Sequence, residues 1–460
     1  MTTTTQTPGA LSEYQWVPQP KAEELFDRLA KEFLARSPLA RKFAGRLYSR
    51  AAVRFNDLID SIHAPRSLVS TADLAAAGFV RRPVPGADEH YVQEQGIFPA
   101  IVIVDSGPLT VYAKVESVAD YLAVWQNYAP TEGAPLAAMR RACVAHSRDA
   151  EMWVIERHGW RGFEVPELRP HDALAILEHA ENFRLRRRHY HSEEGGFAAT
   201  AAEIEGAIAD LGVDRACDLF FAAEREYWQR RNRAARVQKA RQDAVGIGWA
   251  NHDHHTYRSS REHFARLMAI FEQLGFHCRE RFYAGAQAGW GAQVLEQPNT
   301  GIVIFADVDL SPDELFEDFA HNGLAPRDQL GTVGLWCKLH GEAFLEAGMH
   351  HLECQFAFDP LKQQLEAEEG VKTMKPFTNF PYLRQAFTEG EIWPVRHERI
   401  DRLLQSGRIT AEQAAQFRQR GAIGSHLENL ERNQGFKGFN QTGVSEIIAR
   451  TDPRKQAAQH

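Results

Sequence analysis

The sequence predicts an α+β protein in which one strand-rich module occurs twice, with further helices before and between the copies. The first observation behind this is an order of elements: strand, helix, Gly-Phe turn, polar segment, apolar strand. It runs once through 58–63, 71–77, Gly78-Phe79 and Ile101-Val102-Ile103-Val104-Asp105. It runs again through 249–257, 262–274, Gly275-Phe276 and the stretch from Ile302 to Asp307. The second observation is an echo between Ile155-Glu156-Arg157-His158-Gly159-Trp160-Arg161-Gly162-Phe163 and the stretch Leu430 to Phe439, once a one-residue gap is allowed. Two landmarks repeated in the same order indicate a duplicated unit.

At 460 residues the chain exceeds what a single core ordinarily serves, so several domains are expected. The opening Met-Thr-Thr-Thr-Thr-Gln-Thr-Pro has neither a basic nor an apolar region, so 1–20 is expected to be a disordered tail rather than a secretory signal. Residues 21–55 carry Leu25, Leu29, Phe33, Phe43 and Leu47 at helical spacing and begin the N-terminal module, 21–169. The connector, 170–245, reads as helical throughout and ends in a highly charged segment, with the basic run Arg184 to Arg188 taken as a solvated helix face. The second module is 246–460. Within it 313–320 and 360–369 read as short helices and 372–381 as an ordered loop. The stretches 399–407 and 410–420 form a helical hairpin whose second helix opens on the capping box Thr410-Ala-Glu-Gln.

With 44% apolar and 25% charged residues the composition is that of a soluble globular protein, and no apolar run approaches the roughly 20 residues of a membrane span. A net charge of −8 argues against a general nucleic-acid binder. Five scattered cysteines without a Cys-x-x-Cys pair argue against structural zinc and a disulfide framework, and fit a reducing cytoplasm. Oligomeric state is not legible.

The chemistry concentrates in Asn251-His252-Asp253-His254-His255-Thr256-Tyr257-Arg258. Two later stretches, His350-His351-Leu352-Glu353 and Glu428-Asn429-Leu430-Glu431-Arg432, complete a candidate site. Two imidazoles and a carboxylate from three separate strands, with positions left open, suit non-haem Fe(II). Strand alternation puts either His252 and His254 or Asp253 and His255 inward. Arg258 shares a side with His254, where it could clamp a substrate carboxylate, so His254 is preferred over His255 as a ligand. His350 and His351 point to opposite faces; Glu353 shares a face with His351 and could orient it, which favours His351. In the third stretch Glu428 and Glu431 are both candidates. If the two copies correspond, Trp153 stands where Glu428 does, so the first module is expected to be metal-free.

The run His254-His-Thr-Tyr-Arg258, followed by a helix, Leu-Gly-Phe and Phe-Tyr-Ala-Gly, resembles the metal-binding start of the 2-oxoadipate dioxygenase/decarboxylase (hydroxyglutarate synthase) family of the vicinal-oxygen-chelate superfamily. His351-Leu352 resembles that family's second histidine context, and Glu428 with Arg432 its glutamate. More distantly, the last stretch is similar to the end of 4-hydroxyphenylpyruvate dioxygenase. The resemblance covers roughly 246–443, and it departs from the family in the large N-terminal half. It implies two vicinal-oxygen-chelate modules of βαβββ units, the first metal-free and the second catalytic. It further implies His254, His351 and Glu428 as ligands of Fe(2+), Arg258 as substrate-binding, and decarboxylation of a 2-oxoadipate-like 2-oxo acid with O2. A metal-dependent isomerase or lyase on the same scaffold, with Glu431 or Glu353 as its base, is the main alternative. A non-enzymatic small-molecule-binding protein is the third reading.

Overall fold

Proline at the first turn and an apolar stripe at helical spacing start the chain's two leading helices, α1 (Pro20–Arg36) and α2 (Pro38–Ala51). Their buried faces, Leu25, Leu29, Phe33, Phe43 and Leu47, lie on the first sheet's core, and the Ser37 hydroxyl caps α2 by accepting from the Ala40 amide at 3.3 Å. The structure is a computed structural model and describes residues 15–440 and 451–454. Most of the tail expected at 1–20 lies outside them.

The first module runs β1 (Ile59–Pro65), α3 (Thr71–Ala76), β2 (Val80–Arg81), β3 (His90–Val92), β4 (Ala100–Val104), β5 (Leu109–Lys114), α4 (Val118–Trp125), β6 (Thr131–Glu132), β7 (Met139–His146) and β8 (Ala150–Arg157). Its strands form one sheet in the order β2-β3-β4-β1-β5-β8-β7-β6. Four connector helices follow: α5 (Pro170–Leu185), α6 (Glu193–Leu211), α7 (Val213–Arg230) and α8 (Arg233–Asp243).

The second module begins with β9 (His252–Arg258), α9 (Phe264–Gln273), β10 (His277–Tyr283), β11 (Trp290–Glu296) and β12 (Val303–Asp309), and then inserts α10 (Thr332–His340). It continues with β13 (His351–Gln355), α11 (Phe358–Glu369), β14 (Thr378–Phe380), β15 (Leu383–Phe387), β16 (Glu391–Trp393), α12 (His397–Gln405), α13 (Ala411–Arg420) and β17 (Ala422–Arg432). Its sheet runs β10-β11-β12-β9-β13-β17-β15-β14, with β16 added to β17. The two orders correspond strand for strand, β2-β3-β4-β1 with β10-β11-β12-β9 and β5-β8-β7-β6 with β13-β17-β15-β14. Each module is therefore a pair of βαβββ units joined edge to edge, as the repeated landmarks predict.

Register makes the duplication residue-specific. Ser61 faces Tyr112, which faces Trp153; at the same places His254 faces Glu353, which faces Glu428. Asp60 pairs with Arg157 at 2.9 Å, and Arg157 donates to the carbonyls of Trp160 and Gly162. Asp253 likewise pairs with Arg432 at 2.9 Å, and Arg432 donates to the carbonyls of Phe436 and Gly438. Both copies thus use one latch between the inner strand and the loop after the last strand. The face that carries acids and histidines in the second copy is filled in the first by an apolar cluster including Tyr112, Trp153 and Phe163.

Three expectations change and one helix is added. Arg184 to Arg188 is not a solvated face: Arg186 and Arg188 both pair with Glu224, and Arg186 is buried, because the chain leaves α5 there and turns into the core. The helix expected at 313–320 is a single 3-10 turn, Pro312–Phe316. The loop expected at 372–381 contains β14, which pairs with β15. Helix α10 was not read because it is buried all round and shows no amphipathic period. The capping box at Thr410 forms as expected.

Candidate metal centre

Strand β9 turns one face to a buried cavity. His254, Thr256 and Arg258 alternate inward and line it with His351, Glu353 and Glu428. A register irregularity opposite Glu353 and Cys354 breaks the alternation before His254. His252 therefore leaves this face, correcting the expectation that it shares one with His254, and its ring packs on His255 at 5.3 Å between centroids. His255 lies behind the strand, against Phe221, with Nε2 3.2 Å from the Arg225 guanidinium.

At the centre sits Glu353, which alternation places beside His351 and which cross-strand register places opposite both His254 and Glu428. Its Oε1 lies 3.1 Å from His254 Nε2 and in closer contact with His351 Nε2, and accepts from the Thr256 hydroxyl at 2.9 Å. Glu428 Oε2 is 3.7 Å from His351 Nε2, and Gln385 donates to its Oε1 at 2.9 Å. His254, His351, Glu353 and Glu428 are all buried. Sequence reasoning had placed Glu353 as an orienting neighbour; the structure makes it a fourth donor of the cluster.

Asp253 fixes the first histidine. Its Oδ1 takes the Nδ1 proton of His254 at 2.8 Å, leaving Nε2 to face the cavity as an acceptor. Burial opposes the charge on Asp253, but the Arg432 guanidinium and the His254 ring hold its carboxyl well below the usual range. Asp253 was missed as a site residue although the signal existed: the Arg157/Arg432 echo has an aspartate partner in each copy.

Burial pushes both central carboxyls upward, Glu428 to about 8, with Glu353 raised further by the Glu428 carboxyl beside it. Two buried carboxyls side by side oppose each other's charge. Glu353 Oε2 and His351 Nδ1 are buried without a hydrogen-bond partner. Two imidazole nitrogens, two carboxylates and unmet hydrogen-bonding capacity fit a divalent cation, which would offset the carboxylates' charge. Ligand atoms of His254, Glu353 and Glu428 lie within 4.8 Å of one another, as do those of His350, His351 and His426. His426 was also missed; it packs between His351 and the Phe387 ring.

Arg258 is buried in the cavity wall, its Nε 3.6 Å from Asp307 Oδ2 and its guanidinium over the Trp336 ring at 5.5 Å. The nearby acids Asp253 and Glu262 are engaged elsewhere, with Arg432 and Lys338 respectively. Arg258 Nε and Asp307 Oδ1 lack hydrogen bonds, and burial raises Asp307 to about 7. Glu431 is not brought to the cavity. An odd step from Glu428 puts it on the opposite face of β17, where it accepts from the Phe358 amide at 2.7 Å at the start of α11.

No protein-family model and no curated protein matches the sequence. The solved structures similar to it include a protein from Ralstonia eutropha JMP134 assigned to the glyoxalase superfamily, at 15% identity and TM-score 0.34, over 60% of this chain and 99% of that one. They also include a triple mutant of 4-hydroxymandelate synthase from Streptomyces coelicolor, at 11% identity and TM-score 0.28, over 75% of this chain and 98% of that one. Methylmalonyl-CoA epimerase from Mycobacterium tuberculosis is similar over 40% of this chain and 89% of its own, at 12% identity and TM-score 0.23. Among the described residues no helix is long and apolar enough to cross a membrane. What the centre can do is set by this chain's own side chains.

Proposed function

We propose that the chain is a non-haem Fe(II) dioxygenase/decarboxylase that converts a dicarboxylic 2-oxo acid and O2 into a 2-hydroxy acid and CO2. The observation that carries this reading is the convergence of His254, His351 and Glu428 from β9, β13 and β17 on one buried cavity that also holds Arg258. His254, His351 and Glu428 would hold the metal. Fe(II), when bound, supplies two-point chelation of a 2-oxo acid and activation of O2.

The protein's part is positioning. Asp253 keeps His254 in the tautomer that presents Nε2, and Gln385 fixes the Glu428 carboxylate. Arg258 offers a planar fork to the substrate's remote carboxylate, its charge only loosely met by Asp307. Phe282, Phe305, Phe377 and Phe439 line the cavity and keep water from it. The cavity measures ≈ 50 Å³, less than a 2-oxo acid fills, so substrate entry requires side chains of its wall to move.

Arg258→Lys is expected to weaken substrate use about tenfold or more, because an ammonium cannot reproduce a bidentate pair worth roughly 1.5–3 kcal/mol. Iron content should not change. Steady-state O2 uptake against substrate concentration, with iron measured on the same sample, checks this. A lowered thermal midpoint with unaltered kinetics would assign Arg258 to the fold alone.

Glu353 supports a second reading. A fourth donor touching both histidines suits a metal-dependent isomerase or lyase in which this carboxylate moves a proton. Turnover without O2 uptake would favour it.

A further inference from the structure

Between the two modules lies a second cavity of ≈ 730 Å³, walled by both sheets and by α7. Most charges on its wall are matched: Arg157 with Asp60, Arg432 with Asp253, His158 with Asp218, Lys437 with Glu296. Three cations are not. Among the described residues Lys114, at the end of β5, makes no ion pair. Arg225, on α7, makes none either; it offers one nitrogen to His255, and its Nε has no partner. Arg161 meets only the Pro298 carbonyl, at 3.0 and 2.7 Å. The ring of His252 faces the same cavity with Nδ1 unpartnered.

Arg225 is buried, Lys114 half-buried and Arg161 exposed at the rim. The nearest acids, Asp60, Asp218 and Glu296, are already engaged by Arg157, His158 and Lys437, so an anion entering here would meet cations that no carboxylate pairs. Burial already depresses the Lys114 ammonium. The cavity's size is that of small-molecule sites rather than of packing defects. We propose that this inter-module cavity binds a small molecule bearing two or more oxyanion groups, held by Lys114 and Arg161 of the first module and Arg225 of the connector. Asp253 and Arg432 form part of its wall, and Asp253 also holds His254, so the occupant would sit one side chain behind the proposed metal centre. That coupling rests on the iron reading; the binding itself does not.

The test is calorimetric titration of the metal-free full-length protein with pyrophosphate and, separately, citrate at fixed low salt. Saturable one-to-one binding of either probe is expected, weakened at least about tenfold by Lys114→Met and by Arg161→Met. Lys114→Met should keep or raise the thermal midpoint without anion, since it removes a half-buried cation that makes no ion pair, and Arg161→Met, at an exposed position, should leave it nearly unaltered. Arg161→Met stands alone as the test if Lys114→Met does not fold. Arg258→Lys should leave this affinity unaltered. Absence of saturable binding, or affinity unaltered in the Lys114 and Arg161 variants, would overturn the proposal. So would binding lost only in Arg258→Lys, which would place the anion at the metal cavity.

Discussion

Glu428→Gln is expected to lower Fe(II) affinity by more than about 100-fold, beyond the 10- to 100-fold that loss of an outer hydrogen-bonding partner costs. The reason is electrostatic as well as geometric. Glu428 and Glu353 have ligand atoms within 4.8 Å of those of His254, Glu428 lies 3.7 Å from His351 Nε2, and the amide removes its negative charge while keeping its shape. The metal-free protein should be as stable as before or slightly more so, because burial already disfavours the charged carboxylate and glutamine can keep a hydrogen bond to Glu353. Anaerobic Fe(II) titration and thermal unfolding on one preparation check both halves. Full metal occupancy in the variant would leave Glu353 as the ligand carboxylate.

Arg432→Ala carries the second large effect. The guanidinium pairs twice with buried Asp253 and donates to the carbonyls of Phe436 and Gly438, tying β9 to the loop after β17. Its removal strands a buried carboxylate, and breaking such a pair costs about 3–5 kcal/mol. Metal affinity should fall as well, since Asp253 no longer holds His254 in place. Asp253→Asn combined with Arg432→Met should recover most of the stability, because no uncompensated charge remains. Arg157→Ala should destabilise comparably without touching metal binding, its latch lying in the first copy. Urea unfolding of the three variants measures this; a cost below about 1 kcal/mol for Arg432→Ala would remove the latch from the account.

The duplicated fold was legible because the latch leaves a sequence trace: an arginine must follow the last strand's inward residues and be followed by a glycine-bearing loop with carbonyls to cap. Trp153 in the place of Glu428 was readable from the same echo, whereas its pairing with Tyr112 came only with the register. The position of Glu431 could also have been settled from sequence, since three residues along a strand changes face, yet proximity to the motif outweighed parity. The bulge before His254 could not, because an irregularity in register depends on the partner strand. Nor could the central place of Glu353, which follows from cross-strand neighbours on both sides. The buried Arg186–Glu224 pair was hidden for a related reason: a basic run reads as solvated until a partner 38 residues away is brought to it.

Anaerobic reconstitution with Fe(II), followed by oxygen-electrode assay of dicarboxylic 2-oxo acids with CO2 collected, tests the central claim most directly. The expected result is one iron per chain and O2 uptake matched mole for mole by CO2 release. Stoichiometric iron with no O2 uptake on any 2-oxo acid would contradict it.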